Sequence, residues 1–129
     1  MAYTTIDNPE LYFQVKTYTG TGSSASITLD ADTDMQPDWV WIKDRDNVRD
    51  HQIYDSVRQA GNIIYSNLSN AEGDDINRLS AFNSDGFSLG TNTTVNDSSQ
   101  KYVAWNWKAG TSFTNDASAT GIGSIDSAG

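Results

Sequence analysis

Strict alternation of side chains in two tryptophan-containing segments restricts the fold of this chain more than any other feature. Residues 37–43 read PDWVWIK and residues 101–108 read KYVAWNWK. Successive side chains of a β-strand point to opposite faces, so Trp39 and Trp41 share one face while Val40 takes the other. Because both faces carry apolar side chains, we predict that the strand over 37–43 is central in a sheet.

Further segments are short, contain β-branched and aromatic residues, and end at clusters of Gly, Asn, Asp or Ser. The stretch from Asn83 to Gly86 suits a tight hairpin turn, because glycine readily adopts the positive φ that such turns need. A second hairpin is expected between the first two segments. These predicted strands cover residues 11–19, 26–29, 51–57, 61–65, 79–82 and 86–89.

The composition favours strands and loops over helices. Gly, Ser, Thr, Asn and Asp are abundant, and runs of Ala, Leu, Glu and Lys that favour helices are missing. Short strands separated by turns predict an all-β, antiparallel sandwich or jelly roll. We expect an N-terminal arm over residues 1–10, the sandwich over 11–110, and an extended linker or docking strap over 111–129, where few large apolar residues remain.

Charge and cysteine content exclude several classes of function. With Lys+Arg 8 against Asp+Glu 17, the formal net charge of -9 would repel phosphate backbones, so we expect no nucleic-acid partner. The chain has no cysteine, which excludes disulfides and thiolate metal sites. The N-terminus lacks the pattern of a signal peptide, and no stretch has the apolar length of a membrane span, so no membrane insertion is expected.

The residues available for catalysis are few. A histidine-dependent triad could only use His51, with Ser56 and neighbouring aspartates close in sequence, but Ser56 does not lie in a nucleophile-elbow motif. The two glutamates, Glu10 and Glu72, have no carboxylate partner at the spacing that glycosidases of sandwich fold use. We therefore predict that the chain is not an enzyme and needs no cofactor.

The acidic stretch over residues 30–34 (DADTD) resembles the beginning of a calcium-binding loop. Met35 stands where an EF-hand loop has glycine, and Trp41 stands where it has glutamate. A solvated acidic turn is the favoured interpretation, and an irregular calcium site is the alternative. No metal site is predicted.

The two W-x-W pairs allow two interpretations. Their indole rings could stack on sugar rings, which makes Trp39, Trp41, Trp105 and Trp107 candidate carbohydrate-binding residues. The same rings could instead pack in the core between adjacent strands. Flanking apolar residues such as Val40 favour burial, so we predict that the core holds the four tryptophans.

Four segments, taken together in this order, carry a family resemblance: PDWVWIKDRD from Pro37, YDSVRQAG from Tyr54, LSAFNSDGFSLG from Leu79 and YVAWNWKAG from Tyr102. They resemble a domain of tailed-phage structural proteins, especially tail fibre-like proteins, that is related to concanavalin A-like lectin/glucanase sandwiches. The resemblance spans residues 11–110 and implies a jelly-roll sandwich without catalytic residues. Two positions depart from the pattern: Gln59 stands where glycine is common, and Asn106 where cysteine is frequent.

The resemblance implies a virion structural protein on the exterior of a phage particle, assembled in the host cytoplasm. We expect the N-terminal attachment module of a tail fibre, with tail or baseplate proteins as partners and a homo-oligomer, commonly a trimer in fibres. The alternatives are a receptor domain that binds host surface glycans and a capsid decoration or head-fibre protein. Large apolar side chains in the two terminal segments are the expected assembly contacts: Tyr3, Ile6, Phe113, Ile122 and Ile125.

Overall fold

The computed structural model of this chain describes residues 8–109, 114–115 and 127–128. A 3-10 turn at Pro9–Leu11 precedes the first strand, and one short helix, α1, interrupts the later strands. In chain order the elements are β1 (Phe13–Thr19), β2 (Ala25–Ile27), β3 (Trp39–Asp44), β4 (Gln52–Asp55), β5 (Asn62–Tyr65), β6 (Gly73–Asp74), β7 (Leu79–Asn83), β8 (Gly86–Leu89), α1 (Thr93–Asn96), β9 (Lys101–Trp107), β10 (Thr114–Asn115) and β11 (Ser127–Ala128).

Two antiparallel sheets pack face to face as a sandwich. The larger sheet has the strand order β1-β9-β3-β4-β5-β6, and the smaller has the order β2-β8-β7. Strands β10 and β11 pair separately with each other. The predicted all-β, antiparallel sandwich is confirmed, and β3 is central as expected, because β9 and β4 flank it on either side.

The core lies between the two sheets and is formed by the side chains that face inward from both. On β3 and β9 the inward residues include Val40, Ile42 and Tyr102, each at most 1% exposed. The smaller sheet contributes Phe87 and Leu89 from β8. Burial on this scale is the main stabilising term of a sandwich, since a fully buried large apolar side chain contributes roughly 1.5 to 3 kcal/mol.

The predicted hairpin at Asn83 to Gly86 is confirmed, with β7 and β8 paired on either side of it. Gly86 has φ +96°, and a Cβ built there would lie 2.0 Å from the carbonyl oxygen of Ile27. Glycine is therefore required at this turn both for its conformation and for the close approach of β2.

The predicted hairpin between the first two strands is wrong. Strand β1 pairs with β9 in the larger sheet, whereas β2 pairs with β8 in the smaller one. Gly20 and the turn after it carry the chain from one sheet to the other, and Gly20 N–H donates to the carbonyl oxygen of Gln100. Because Ile27 reaches the core from the smaller sheet, pairing β2 with β1 would remove it from that contact.

Gln59 and Asn106, the two positions singled out in the sequence, have distinct structural settings. Gln59 has φ +78°, in the left-handed region that favours glycine and that other residues rarely adopt. Asn106 is fully buried on β9, and its side-chain amide donates to the carbonyl oxygens of Gln14 and Ala104. Within the described ranges, no helix has both the length and the apolar character to cross a membrane.

Candidate functional site

The four tryptophans lie on the outer face of the larger sheet, opposite the core. Their positions on β3 and β9 alternate with the buried ones, and all four are half-buried. The prediction that they lie in the core is therefore wrong. Val40, Ile42, Tyr102 and Ala104 occupy the core side, and strand alternation then directs the indoles outward.

Strand register brings the tryptophans together with two residues of β1. Trp107 lies between Phe13 and Trp39, and Trp105 lies between Val15 and Trp41. Phe13 and Val15 remain 39% and 47% exposed. We call the surface formed by these residues the aromatic face: Phe13, Val15, Trp39, Trp41, Trp105 and Trp107.

The rings of the aromatic face pack against one another at an angle. The centroids of Trp39 and Trp107 are 4.5 Å apart with the planes at 53°, and those of Trp41 and Trp105 are 5.5 Å apart, also at 53°. Trp39 and Trp41 are tilted by 57°. Each indole therefore turns part of its flat surface toward another ring, and the rings do not form a single flat platform.

A groove of about 340 Å³ adjoins the aromatic face along β1, and Phe13, Gln14 and Val15 line it together with Glu10 and Asp30. Gln14 fixes the acidic stretch 30–34 beside the groove, because its side-chain amide donates to the carbonyl oxygen of Thr33, 3.1 Å away. Among the described residues, no three acidic, histidine or cysteine side chains are placed to share a metal ion.

The residues considered for a catalytic triad make separate contacts. His51 Nδ1 accepts a hydrogen bond from Trp41 Nε1 at 3.2 Å. The Ser56 hydroxyl donates to Asp38 Oδ1 at 2.9 Å. His51 therefore extends the edge of the aromatic face, and Ser56 fastens the end of β4 to the segment before β3.

A family model described as a domain of unknown function, DUF7483, matches residues 8–128 of the chain. The chain belongs to this family. The match includes both strands that carry the tryptophan pairs. No curated protein and no solved structure matches the chain.

The residues expected to form assembly contacts in this DUF7483 chain lie in its two terminal segments. Tyr3, Ile6, Phe113, Ile122 and Ile125 lie outside the residues that the structure describes. Sequence analysis missed Phe13 and Val15 as members of a site. Alternation within 11–19 does place them on one face, but only the pairing of β1 with β9 brings that face beside the tryptophans.

Asp44 organises the loop between β3 and β4. Its Oδ1 accepts from the backbone N–H groups of Asp46 and Asn47, each at 2.9 Å, and its Oδ2 lies 3.1 Å from Arg49 Nε. Burial alone would raise the pKa of Asp44, but the backbone and side-chain hydrogen bonds and the Arg49 charge outweigh it and hold the pKa below its usual value.

We expect this DUF7483 domain to lose stability in acid. Burial likewise opposes ionisation of Asp75, but hydrogen bonds from Asn77, Asn92 and Arg78 lower its pKa. A carboxylate with a lowered pKa in the folded state stabilises the fold above the pKa of the unfolded chain, about 3.9, and this contribution is lost as the pH falls through the lower value. The urea midpoint should therefore be lower at pH 3 than at pH 6, and an unchanged midpoint would contradict the expectation.

Proposed function

We propose that this chain is a non-catalytic assembly module of a tailed-phage particle, which docks onto another virion protein through the aromatic face. The observation that carries the proposal is the set of four half-buried indoles gathered on the outside of the larger sheet. The family resemblance of the sequence supplies the phage context. Attachment of a tail fibre to tail or baseplate proteins is the function that this context favours.

The composition of the aromatic face supports a protein partner. Interface centres are enriched in aromatic residues and depleted of charged ones, and tryptophan is the residue type most often found at binding hot spots. Exposed Phe13 and Val15 widen the apolar surface beyond the tryptophans. Grouped apolar side chains on the surface of a small domain mark an interaction site more often than scattered ones do.

The groove along β1 indicates the chemistry of the partner. Apolar Phe13 and Val15 line it together with the acidic residues Glu10 and Asp30. Lys16 forms an ion pair with Asp30, whereas Glu10 is exposed. An apolar side chain with a lysine or arginine beside it complements this groove in both shape and charge.

Carbohydrate binding by the same tryptophans is the second candidate. Partial exposure of all four indoles favours it. The tilt of 53° between neighbouring rings disfavours it, because a sugar stacks on an open ring face. A saturable shift of tryptophan fluorescence with host glycans would reverse the order of the two candidates.

The test uses the parent phage after the gene for this chain has been deleted from it. The chain is supplied in trans to cells infected with that phage. We expect the wild-type chain in purified particles and at least tenfold less of the double variant Phe13→Ser/Val15→Lys. Placing a charge and a hydroxyl in the apolar part of the interface that β1 contributes leaves them without water or a partner. Immunoblotting of the particles measures incorporation.

The matched control is Val57→Lys, because Val57 is 90% exposed and lies outside the aromatic face. This variant should enter particles like the wild type. Urea midpoints of the purified chains verify that the double variant is folded. Absence of the wild-type chain from particles would contradict the virion assignment, and normal incorporation of the folded double variant would contradict docking through the aromatic face.

A further inference from the structure

A second cleft opens on the core side of the larger sheet, away from the aromatic face. Its volume is about 290 Å³, at the lower end of the range for small-molecule pockets, ~300 to 1,000 Å³. Gln52 on β4 and Tyr65 on β5 are direct cross-strand partners and line it together. The remaining lining residues come from two loops and α1: Val48, Arg49, Asp50, Arg78 and Thr94.

Gln52 presents an unused donor to this cleft. The residue is only 2% exposed. Its carbonyl oxygen accepts from the Tyr54 hydroxyl at 2.5 Å and from Arg78 Nη1 at 3.2 Å, which fixes the orientation of the amide. Among the described residues, its NH₂ group has no acceptor within hydrogen-bonding distance, so this donor is available to a group bound in the cleft that Gln52 lines.

Tyr65 and Arg78 add further donors beside Gln52. Arg78 Nη1 donates to the Tyr65 hydroxyl oxygen at 2.9 Å, so the proton of that hydroxyl is directed elsewhere. Arg78 Nε pairs with Asp75 at 3.3 Å, which holds the guanidinium in place. Within the described part of the chain, Arg78 Nη2 has no protein acceptor. Three neighbouring side chains therefore offer donors to an acceptor-rich group.

We propose that this cleft binds a sugar that carries a carboxylate, such as a uronic acid unit of a surface polysaccharide. The carboxylate would accept from Gln52, Tyr65 and Arg78, since charge-assisted hydrogen bonds to arginine are the strongest of this kind. At the rim, the Asp50 carboxylate can accept from ring hydroxyls, and exposed Val48 can cover a C–H face of the ring. Arg49 also lines the cleft, but its charge is already paired with Asp44 and Asp97.

The cleft and the aromatic face are independent of each other. Gln52 pairs with Ile42, whose side chain is in the core, whereas Ile53 pairs with Trp41 on the outer face. Side chains of adjacent residues on a strand point to opposite faces, so a ligand in the cleft does not touch the tryptophans. The proposal for the cleft therefore does not depend on docking through the aromatic face.

Calorimetry at low ionic strength with four separate probes tests the proposal: D-glucuronate, D-glucose, acetate and sulfate. We expect glucuronate to bind saturably at millimolar or lower concentration and at least tenfold more tightly than each of the others, because only it supplies both the carboxylate and the ring. In ¹H–¹⁵N spectra the Gln52 side-chain amide should shift with glucuronate.

Gln52→Glu is the decisive variant. The new carboxylate still accepts from Tyr54 and Arg78, but it replaces the donor with a negative charge, so glucuronate affinity should fall at least tenfold. Tyr65→Phe keeps the ring, removes one donor and should weaken binding severalfold. Gln36→Glu makes the same chemical change at an exposed position outside the cleft and should leave the affinity unchanged.

Three results would overturn the proposal. Glucuronate could bind no more tightly than glucose, which would remove the role of the carboxylate. Sulfate or acetate could match glucuronate, which would remove the role of the sugar ring. Finally, folded Gln52→Glu could keep the wild-type affinity, which would place any binding outside the cleft.

Discussion

Replacing Asp44 with alanine should lower the free energy of unfolding by about 1.5 to 3 kcal/mol, the contribution typical of hydrogen bonds to a charged group. Asp44 is 2% exposed. Its carboxylate accepts hydrogen bonds from two backbone N–H groups and one side-chain amide, and it forms an ion pair with Arg49. Without the carboxylate, the two loop N–H groups lose their acceptor, whereas Arg49 keeps its ion pair with Asp97. Urea unfolding at pH 7 measures the effect.

Two variants define what the Asp44 result means. Asp44→Asn keeps an oxygen for the loop N–H groups and removes the charge, so its loss should be smaller than that of alanine. Asp32→Ala removes an exposed carboxylate and should change stability by less than about 0.5 kcal/mol. An alanine variant at position 44 as stable as Asp32→Ala would show that the loop after β3 does not depend on this side chain.

Gly86→Ala should destabilise the fold by roughly 2 to 5 kcal/mol. A side chain at φ +96° costs about 1 to 2 kcal/mol, and overpacking of a closed structure costs about 1 to 3 kcal/mol more. The added Cβ would lie 2.0 Å from the carbonyl oxygen of Ile27, so β2 must move away from the hairpin. Thermal and urea unfolding measure the loss.

Gly22→Ala separates the conformational cost of a positive φ from the cost of the close approach to β2, which are combined at Gly86. Gly22 also has a positive φ, +71°, but a Cβ there meets its nearest atom, the Ser98 Cβ, at 3.4 Å, an ordinary contact. Gly22→Ala should therefore lower the free energy of unfolding only by the conformational cost, about 1 to 2 kcal/mol. Equal losses for the two variants would contradict the role of the close approach to β2.

The two proposed surfaces use opposite faces of the same sheet. The aromatic face would hold the chain in an assembly, and the cleft beside Gln52 would bind a small acidic sugar. Because the cleft lies on the core side of the sheet and the tryptophans on its outer side, the two surfaces can be occupied at once.

Local sequence patterns predicted most of the strands. Alternation around Trp41 and Trp105 located β3 and β9, and the Asp85-Gly86 turn located the β7–β8 hairpin, because strand period and turn conformation depend on residues close in sequence. The pairing of β1 was not predictable in this way. Its partner β9 lies more than eighty residues away in sequence, with Phe13 opposite Trp107.

The sequence by itself determined that Trp39 and Trp41 share a face of one strand and that Val40 takes the other. It could not determine which face is buried, because both are apolar. Only the packing of the smaller sheet against Val40 and Ile42 decided this, and it left the tryptophans outside. The cleft depends on tertiary structure even more, since Gln52 and Arg78 come from distant segments. The direction of a side chain is a local property of its strand. Which face of the strand is buried, and which side chains meet in a cleft, depends on the distant segments that pack together.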